Sequence, residues 1–320
     1  MIGLITDSSN YKIMAFIGII FAYILTHVLL HYCKEMLPRD GGRAFAHDGK
    51  LSAGKPRGAG IIFILVFAAA SILFLKINLE NIIYIVLLIA AMLTGYLDDA
   101  SKSPWGEYKK GFLDLIISVL TAVTFMYYNS SSIYINIIGK SFTLNPVLFV
   151  ILGTILVWAA INVTNCSDGV DGLSGTLAII TLITIYFIGT AKDANGSFSY
   201  MILMMVVSIM AYLWFNATPS KMLMGDAGSR AMGLFISIAI LKTGSPLLYI
   251  PVSFVFIVDG GLGLIKVALL RFLKIKIIPN IRTPLHDHVR KNKDWSNTQT
   301  VFRFAIIQIL IGFCTVWLLK

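Results

Sequence analysis

Acidic and basic side chains are sparse in this chain, 16 and 26 in 320 residues, yet six of the acidic ones fall in four short clusters. The first is Gly95-Tyr96-Leu97-Asp98-Asp99-Ala100-Ser101-Lys102, two adjacent carboxylates with a lysine three residues on. Neighbouring helical positions diverge by about 100°, so Asp98 and Asp99 are predicted to serve different partners. A solvated helix end with a local Asp99–Lys102 pair is the competing reading. The second cluster runs from Asn162 to Gly175 (NVTNCSDGVDGLSG). Its glycines at 169, 172 and 175 permit close backbone approach and expose amides suited to phosphate, while Asn162, Asn165, Asp168 and Asp171 offer hard oxygen ligands for magnesium. A calcium loop would need D-x-D-x-D-G and a closing Glu, which are absent. The third, Phe215 to Ser229 (FNATPSKMLMGDAGS), holds Asn216 and Asp226. Asp226 either caps the following helix or binds a cation. The fourth, Thr283-Pro284-Leu285-His286-Asp287-His288, lacks zinc spacing and sits in basic surroundings that fit phosphate contacts by the imidazoles and Arg282.

The elements that position these clusters are apolar. The chain is 57% hydrophobic and 13% charged, against about 25% charged in an ordinary soluble domain, so its main solvent is lipid. Apolar runs of spanning length recur from end to end and leave no room for a separate soluble domain: residues 1–320 read as one domain, an all-α integral membrane protein. About ten transmembrane helices are predicted, near 13–32, 58–76, 81–97, 112–128, 145–162, 172–190, 198–215, 229–242, 246–270 and 302–319. The first is too long for a signal-peptide core and stays as a helix. Residues 131–142 alternate Ile and Tyr with polar residues around Gly139-Lys140, which predicts a small external hairpin.

With an even number of spans both termini lie on one side, and the loops fall into two sets. The loops after odd-numbered spans, Arg230 and Lys221 included, hold 19 of the 26 basic residues, so these loops are predicted to be cytoplasmic and both termini external. Acidic residues do not follow that rule, yet 11 of 16 share the same face. Asp98, Asp99, Asp168, Asp171 and Asp226 abut helix ends, where an unpaired carboxylate near lipid is costly. All four clusters therefore meet on one face. A diphosphate arriving from the cytoplasm needs a divalent cation and basic side chains, and a lipid acceptor needs an intramembrane scaffold, so the chemistry suggested is phosphoryl transfer to a lipid. The net charge of +10 then reflects topology and anionic membrane lipid, with no nucleic acid partner. Cys33, Cys166 and Cys314 follow no paired or metal-binding spacing. Asp259 lies inside the ninth span, seven residues before Lys266; a direct pair would be strained, and both are expected to meet groups on other helices.

The aspartate pair, the N-x-x-N-x-x-D-G-x-D-G-L run, the Gly225-Asp226 element and the histidine loop together resemble the polyprenyl-phosphate N-acetylhexosamine-1-phosphate transferases over nearly the whole chain. Residues 283–288, with Lys293-Asp294-Trp295-Ser296 and Val301-Phe302-Arg303-Phe304, are most similar to the branch that makes the first lipid-linked peptidoglycan precursor. The resemblance implies a bacterial plasma-membrane enzyme in which undecaprenyl phosphate attacks UDP-N-acetylmuramoyl-pentapeptide, releasing UMP, with Mg2+ as cofactor and a homodimer as its assembly. It implies that Asp226 binds the metal, that Asp98 deprotonates the lipid phosphate with Asp99 as its partner, and that Asp168 belongs to the catalytic set. His286 and His288 then engage the sugar diphosphate; Lys55, Lys102, Asn162, Asn165, Gly169, Val170, Asp171 and Asn216 fall at substrate-binding positions.

There are departures. Asp287 replaces the middle histidine of the family's run of three, Val289 and Arg290 stand where an acidic residue commonly follows, and the first loop, Gly54-Lys55-Pro56-Arg57-Gly58-Ala59-Gly60, adds Arg57. A phosphate monoester has its second pKa at about 6, so a base has little to remove near neutral pH; direct displacement is expected, with an aspartyl-phosphate on Asp98 or Asp99 as the other route. Two rival functions are a sister transferase using UDP-N-acetylglucosamine, against which the histidine loop argues, and a transporter, which predicts midplane charges and repeated halves.

Overall fold

The computed structural model describes residues 10–42, 49–101, 103, 105–192 and 196–319. Long helices dominate: α1 (Tyr11–Cys33), α2 (Gly60–Phe74), α3 (Leu79–Asp99), α4 (Glu107–Tyr128), α5 (Pro146–Cys166), α6 (Leu173–Ala191), α7 (Ser197–Asn216) and α8 (Gly225–Lys242). A bent pair follows, α9 (Pro246–Val252) and α10 (Phe254–Leu273), then α11 (Leu285–Asn292) and α12 (Asn297–Trp317). Their starts are encoded locally. The Asn78 side chain accepts from the Asn81 N–H ahead of α3, Asn145 caps α5 with Pro146 in its first turn, and Ser296 and Gln299 form a reciprocal capping box on α12.

Seven described helices are long and apolar enough to cross a membrane, and eight if the bent pair is one span. Three of the ten segments expected to span depart from a long, straight, apolar helix, each for a physical reason. α2 has 15 residues, a rise of about 22 Å against a hydrocarbon core of about 30 Å. α8 carries Asp226, Arg230 and Lys242, which no lipid-facing helix would. The ninth predicted span breaks, its halves meeting at 73° beside Pro251, which has no N–H to continue the ladder. Gln308 of α12 heals that break: its amide nitrogen donates to the Pro251 carbonyl (3.1 Å) and its oxygen accepts from the Val255 N–H (2.9 Å).

The hairpin expected from the Ile/Tyr alternation is present as β1 (Ser132–Ile135) and β2 (Lys140–Thr143), antiparallel, with Ile135 opposite Lys140. It docks on the α8–α9 connection through Tyr134 N–H to the Gly244 carbonyl (2.8 Å) and Ser245 Oγ to the Tyr134 carbonyl (3.0 Å).

Everything is arranged around α8, whose residues from Gly225 to Leu241 are all buried. It packs against α2, α3, α5 and α6, and small residues let backbones touch. A Cβ on Gly60 would stand 2.1 Å from the Gly228 nitrogen, one on Gly95 2.4 Å from the Asp226 carbonyl, and one on Gly233 2.5 Å from the Ala160 carbonyl. These contacts are backbone on backbone and cannot be relieved by a rotamer change. Gly60→Val is therefore expected to lower stability by about 1–3 kcal/mol or more, read as thermal unfolding in detergent. Gly41→Ala, at a position with open space around it, should leave the midpoint unchanged.

Candidate active site

Asp98 and Asp99 end α3, Asp226 begins α8, and Gly95 and Gly225 bring the two helix ends together. Gly225 has φ +68, and a Cβ there would lie 2.1 Å from Asp99 Oδ2, so this position excludes any side chain on two counts. The two aspartates do diverge. Asp98 pairs with Lys110 and accepts from the Trp105 N–H (2.7 Å). Asp99 pairs with Arg57 Nε at 2.8 Å and accepts from the Ala227 N–H at 3.3 Å. Asp226 joins them: its Oδ1 is 3.3 Å from Arg57 Nη2 and its Oδ2 is 3.2 Å from Lys110 Nζ. Three carboxylates thus alternate with two cations. Burial opposes the Arg57 charge, but Asp99, Asp226, Asp40 and Asp168 outweigh it, and the guanidinium holds its proton more firmly than in water.

Beneath this row lies a buried ion pair. Arg230 Nε donates to Asp114 Oδ1 at 3.0 Å, and its Nη2 donates to the Lys110 carbonyl at 3.2 Å. Arg230, expected in a loop from its place in the charge count, is 2% exposed inside α8. It holds α4 so that Lys110 reaches up to Asp98 and Asp226.

The first loop pairs with the third cluster backbone to backbone: Leu223 N–H to the Pro56 carbonyl (2.8 Å), Ala59 N–H to the Leu223 carbonyl (3.0 Å) and Gly60 N–H to the Met224 carbonyl (3.1 Å). Arg57 is thereby fixed at the carboxylates and Lys55 at an adjoining cavity. Lys55 Nζ donates to Ser220 Oγ (2.8 Å) and lies 3.7 Å from Asp171 Oδ2. That cavity, of about 380 Å³, is lined by Lys55, Asp168, Gly169, Val170, Asp171 and Asn216, together with Arg290 and Asn297 from the far side. Its floor is stiff. Asn216 accepts from the Gly172 N–H (2.8 Å) and donates to the Met222 carbonyl (2.9 Å), and Asp171 accepts from the Ser220 N–H (3.1 Å).

Asn165 and Asn162 do not line the cavity. Asn165 donates to Ser229 Oγ (2.9 Å), tying α5 to α8, and Asn162 donates back to the Trp158 carbonyl (2.9 Å). His286 faces inward to Asp259, while His288 Nδ1 accepts from the Arg282 N–H (3.2 Å). Asp287 is 5% exposed and sits between Arg282 (3.8 Å) and Arg290 (3.7 Å), so the charge that replaces a histidine has two cations beside it. Lys102 lies outside the described residues. Among those described, no three His, Cys, Asp or Glu side chains form a ready-made metal cage. Magnesium does not require one, since it is commonly held by one or two carboxylates plus substrate phosphates. The hard oxygens of Asp226 and its neighbours fit that mode.

Sequence reasoning missed Lys110, Asp114 with Arg230, and Asn297, and it noted Arg57 and Arg290 only as departures. A lysine one turn inside an apolar helix was the available signal for Lys110.

A profile of glycosyl transferase family 4 matches residues 81–244. The chain is 38% identical over 328 residues to the phospho-N-acetylmuramoyl-pentapeptide-transferase of Treponema pallidum, covering 97% of this chain and 90% of that protein. Proteins of the same name from Borrelia garinii and Dictyoglomus turgidum are 30% and 28% identical, covering 94% and 96% of this chain and 93% and 99% of their own lengths.

Arg230→Met strands a buried carboxylate and is expected to cost about 3–5 kcal/mol in detergent unfolding. Adding Asp114→Leu to it should recover most of that loss, because the charge is then removed from both sides.

Proposed function

Because this chain belongs to the phospho-N-acetylmuramoyl-pentapeptide-transferases of glycosyl transferase family 4, we propose that its cavity and carboxylate row are two halves of one phosphoglycosyl transfer site. The protein is a multi-pass membrane enzyme that transfers phospho-N-acetylmuramoyl-pentapeptide from its UDP-linked donor to undecaprenyl phosphate and releases UMP. The observation that carries the two-part site is the Lys55–Arg57 segment, with one cation at the cavity and the next at the carboxylates.

In this reading the nucleotide end of the donor enters the cavity, where Lys55, Asp171 and Asn216 hold it beside the glycine-lined turn at Gly169. The diphosphate then extends toward Arg57 and Lys110. Mg2+, when bound by Asp226 with Asp98 or Asp99, supplies charge neutralisation at the diphosphate. Lys110 and Arg57 are released from those carboxylates to hold phosphate oxygens. An oxygen of the lipid phosphate attacks the sugar-linked phosphorus, its new P–O bond forming as the bond to the bridging oxygen breaks, and UMP departs with that electron pair. The acceptor is already largely ionised near neutral pH, so Asp98 orients it more than it deprotonates it. By the excess of Lys and Arg in its loops, the site faces the cytoplasm and both termini lie outside.

Purified protein with undecaprenyl phosphate and Mg2+ is expected to release UMP from UDP-N-acetylmuramoyl-pentapeptide and not from UDP-N-acetylglucosamine. Chelation should stop it, and Asp226→Asn should lower kcat roughly 10²- to 10³-fold. Equal release from both nucleotides would sink the donor assignment. Donor labelled in its sugar-linked phosphate, offered without lipid, should leave no label on the protein; a phosphorylated aspartate would replace direct displacement with a two-step route.

A further inference from the structure

The most deeply buried acid among the described residues stands outside the row of carboxylates. Asp259 is 0% exposed, within a π-helical turn (Ile257–Gly261) of α10. Lys266 does not pair with it, since its Nζ donates to the carbonyls of Ile281 (2.7 Å) and Ile278 (3.3 Å). Asp259 instead meets His286: Oδ1 accepts from the His286 backbone N–H at 2.7 Å, and the imidazole Nδ1 lies 2.9 Å from Oδ2 and 3.1 Å from Oδ1. A carboxylate accepts, so the ring nitrogen that faces it carries a proton. Nε2 then points the other way, at the second cluster, with Asp287 Oδ1 3.9 Å from it and so beyond hydrogen-bond reach. A Cβ on Gly169 would come within 2.2 Å of Nε2 and 2.7 Å of Cε1, so the ring fills the space a side chain would take at the cavity wall. The π turn itself is pressed against the end of α5, with a Cβ on Gly260 only 2.4 Å from the Val163 carbonyl. Asp259 therefore joins three pieces that chain connectivity leaves separate: α10, the first turn of α11, and, through the imidazole, the Asp168–Asp171 turn.

We propose that Asp259 is a positioning residue that fixes His286 with its proton on Nδ1 and sets Nε2 against the Gly169 turn. This rests on the transferase reading of the neighbouring cavity. Asp259 touches no reacting atom; it acts through the orientation and tautomer of the imidazole, which in turn shapes the turn beside the donor diphosphate.

The test uses the full-length protein labelled with 15N at its five histidines, with His286 assigned through His286→Gln. Long-range 1H–15N spectra are expected to show His286 protonated at Nδ1. In Asp259→Asn the amide oxygen can keep the backbone contact while its N–H faces the ring, so the proton should shift to Nε2. For that variant kcat of UMP release should fall about 10- to 100-fold, with donor KM within about 3-fold of wild type. His286→Gln should lose as much, and the double variant no more than either alone. A bare Nδ1 in the wild type, an Asp259→Asn variant with wild-type kcat, or additive losses in the double variant would overturn the assignment. The wild-type spectrum decides the first point even if Asp259→Asn does not fold. Failure of the wild type to release UMP would overturn the functional reading instead, leaving the tautomer result standing.

Discussion

The close approach of bare backbones around α8 is the constraint on which the rest depends. A helix sealed on every side must pack against its neighbours without gaps, and here Gly60, Gly95, Gly228 and Gly233 remove the side chains that would hold them off. Contact at that range fixes helix register, and register places Asp226 beside Asp98 and Asp99. No loop has to find the arrangement by itself. The chemistry-bearing residues sit at helix ends whose positions are set by the apolar body of the molecule.

That placement would be ruinous without cations. Three carboxylates within a mostly buried cluster repel one another, and Arg57 and Lys110 are interleaved so that each carboxylate has a positive partner. Arg230 and Asp114 repeat the device one layer deeper, where neither is reached by water. The site is thus held in shape by pairs that, in the proposed mechanism, a doubly charged ion and a diphosphate would exchange, the ion taking the carboxylates and the phosphates the freed cations.

Much of this was legible in the sequence because it is local. Runs of apolar residues marked the helices, Asp98 and Asp99 diverge as a helix requires, and the alternation of residues 131–142 marked the hairpin. Asp259 meets another helix, as its spacing from Lys266 suggested, whereas Lys266 donates to the Ile278 and Ile281 carbonyls of the following loop and not to a helix. What escaped was tertiary. Counting charges by position put Arg230 and Lys110 in the loops, because nothing local distinguishes a lysine solvated at a helix end from one turned inward to a carboxylate on another helix. The character of individual spans escaped for a related reason: hydropathy reports that α2 and α8 are apolar, not that α8 is wrapped by protein or that α2 has only 15 helical residues.

The far end of α8 is fastened as well. Lys242, its last residue, donates to both oxygens of Glu80 (3.1 and 3.0 Å) and to Asn129 Oδ1 (3.1 Å), and Tyr84 and Asn129 complete the shell around that carboxylate. A helix anchored by charge at both ends cannot ratchet: a slip of one turn, about 5.4 Å, would break the pairs at Asp226 and at Lys242 together. Those pairs therefore oppose a register shift of α8 from both of its ends.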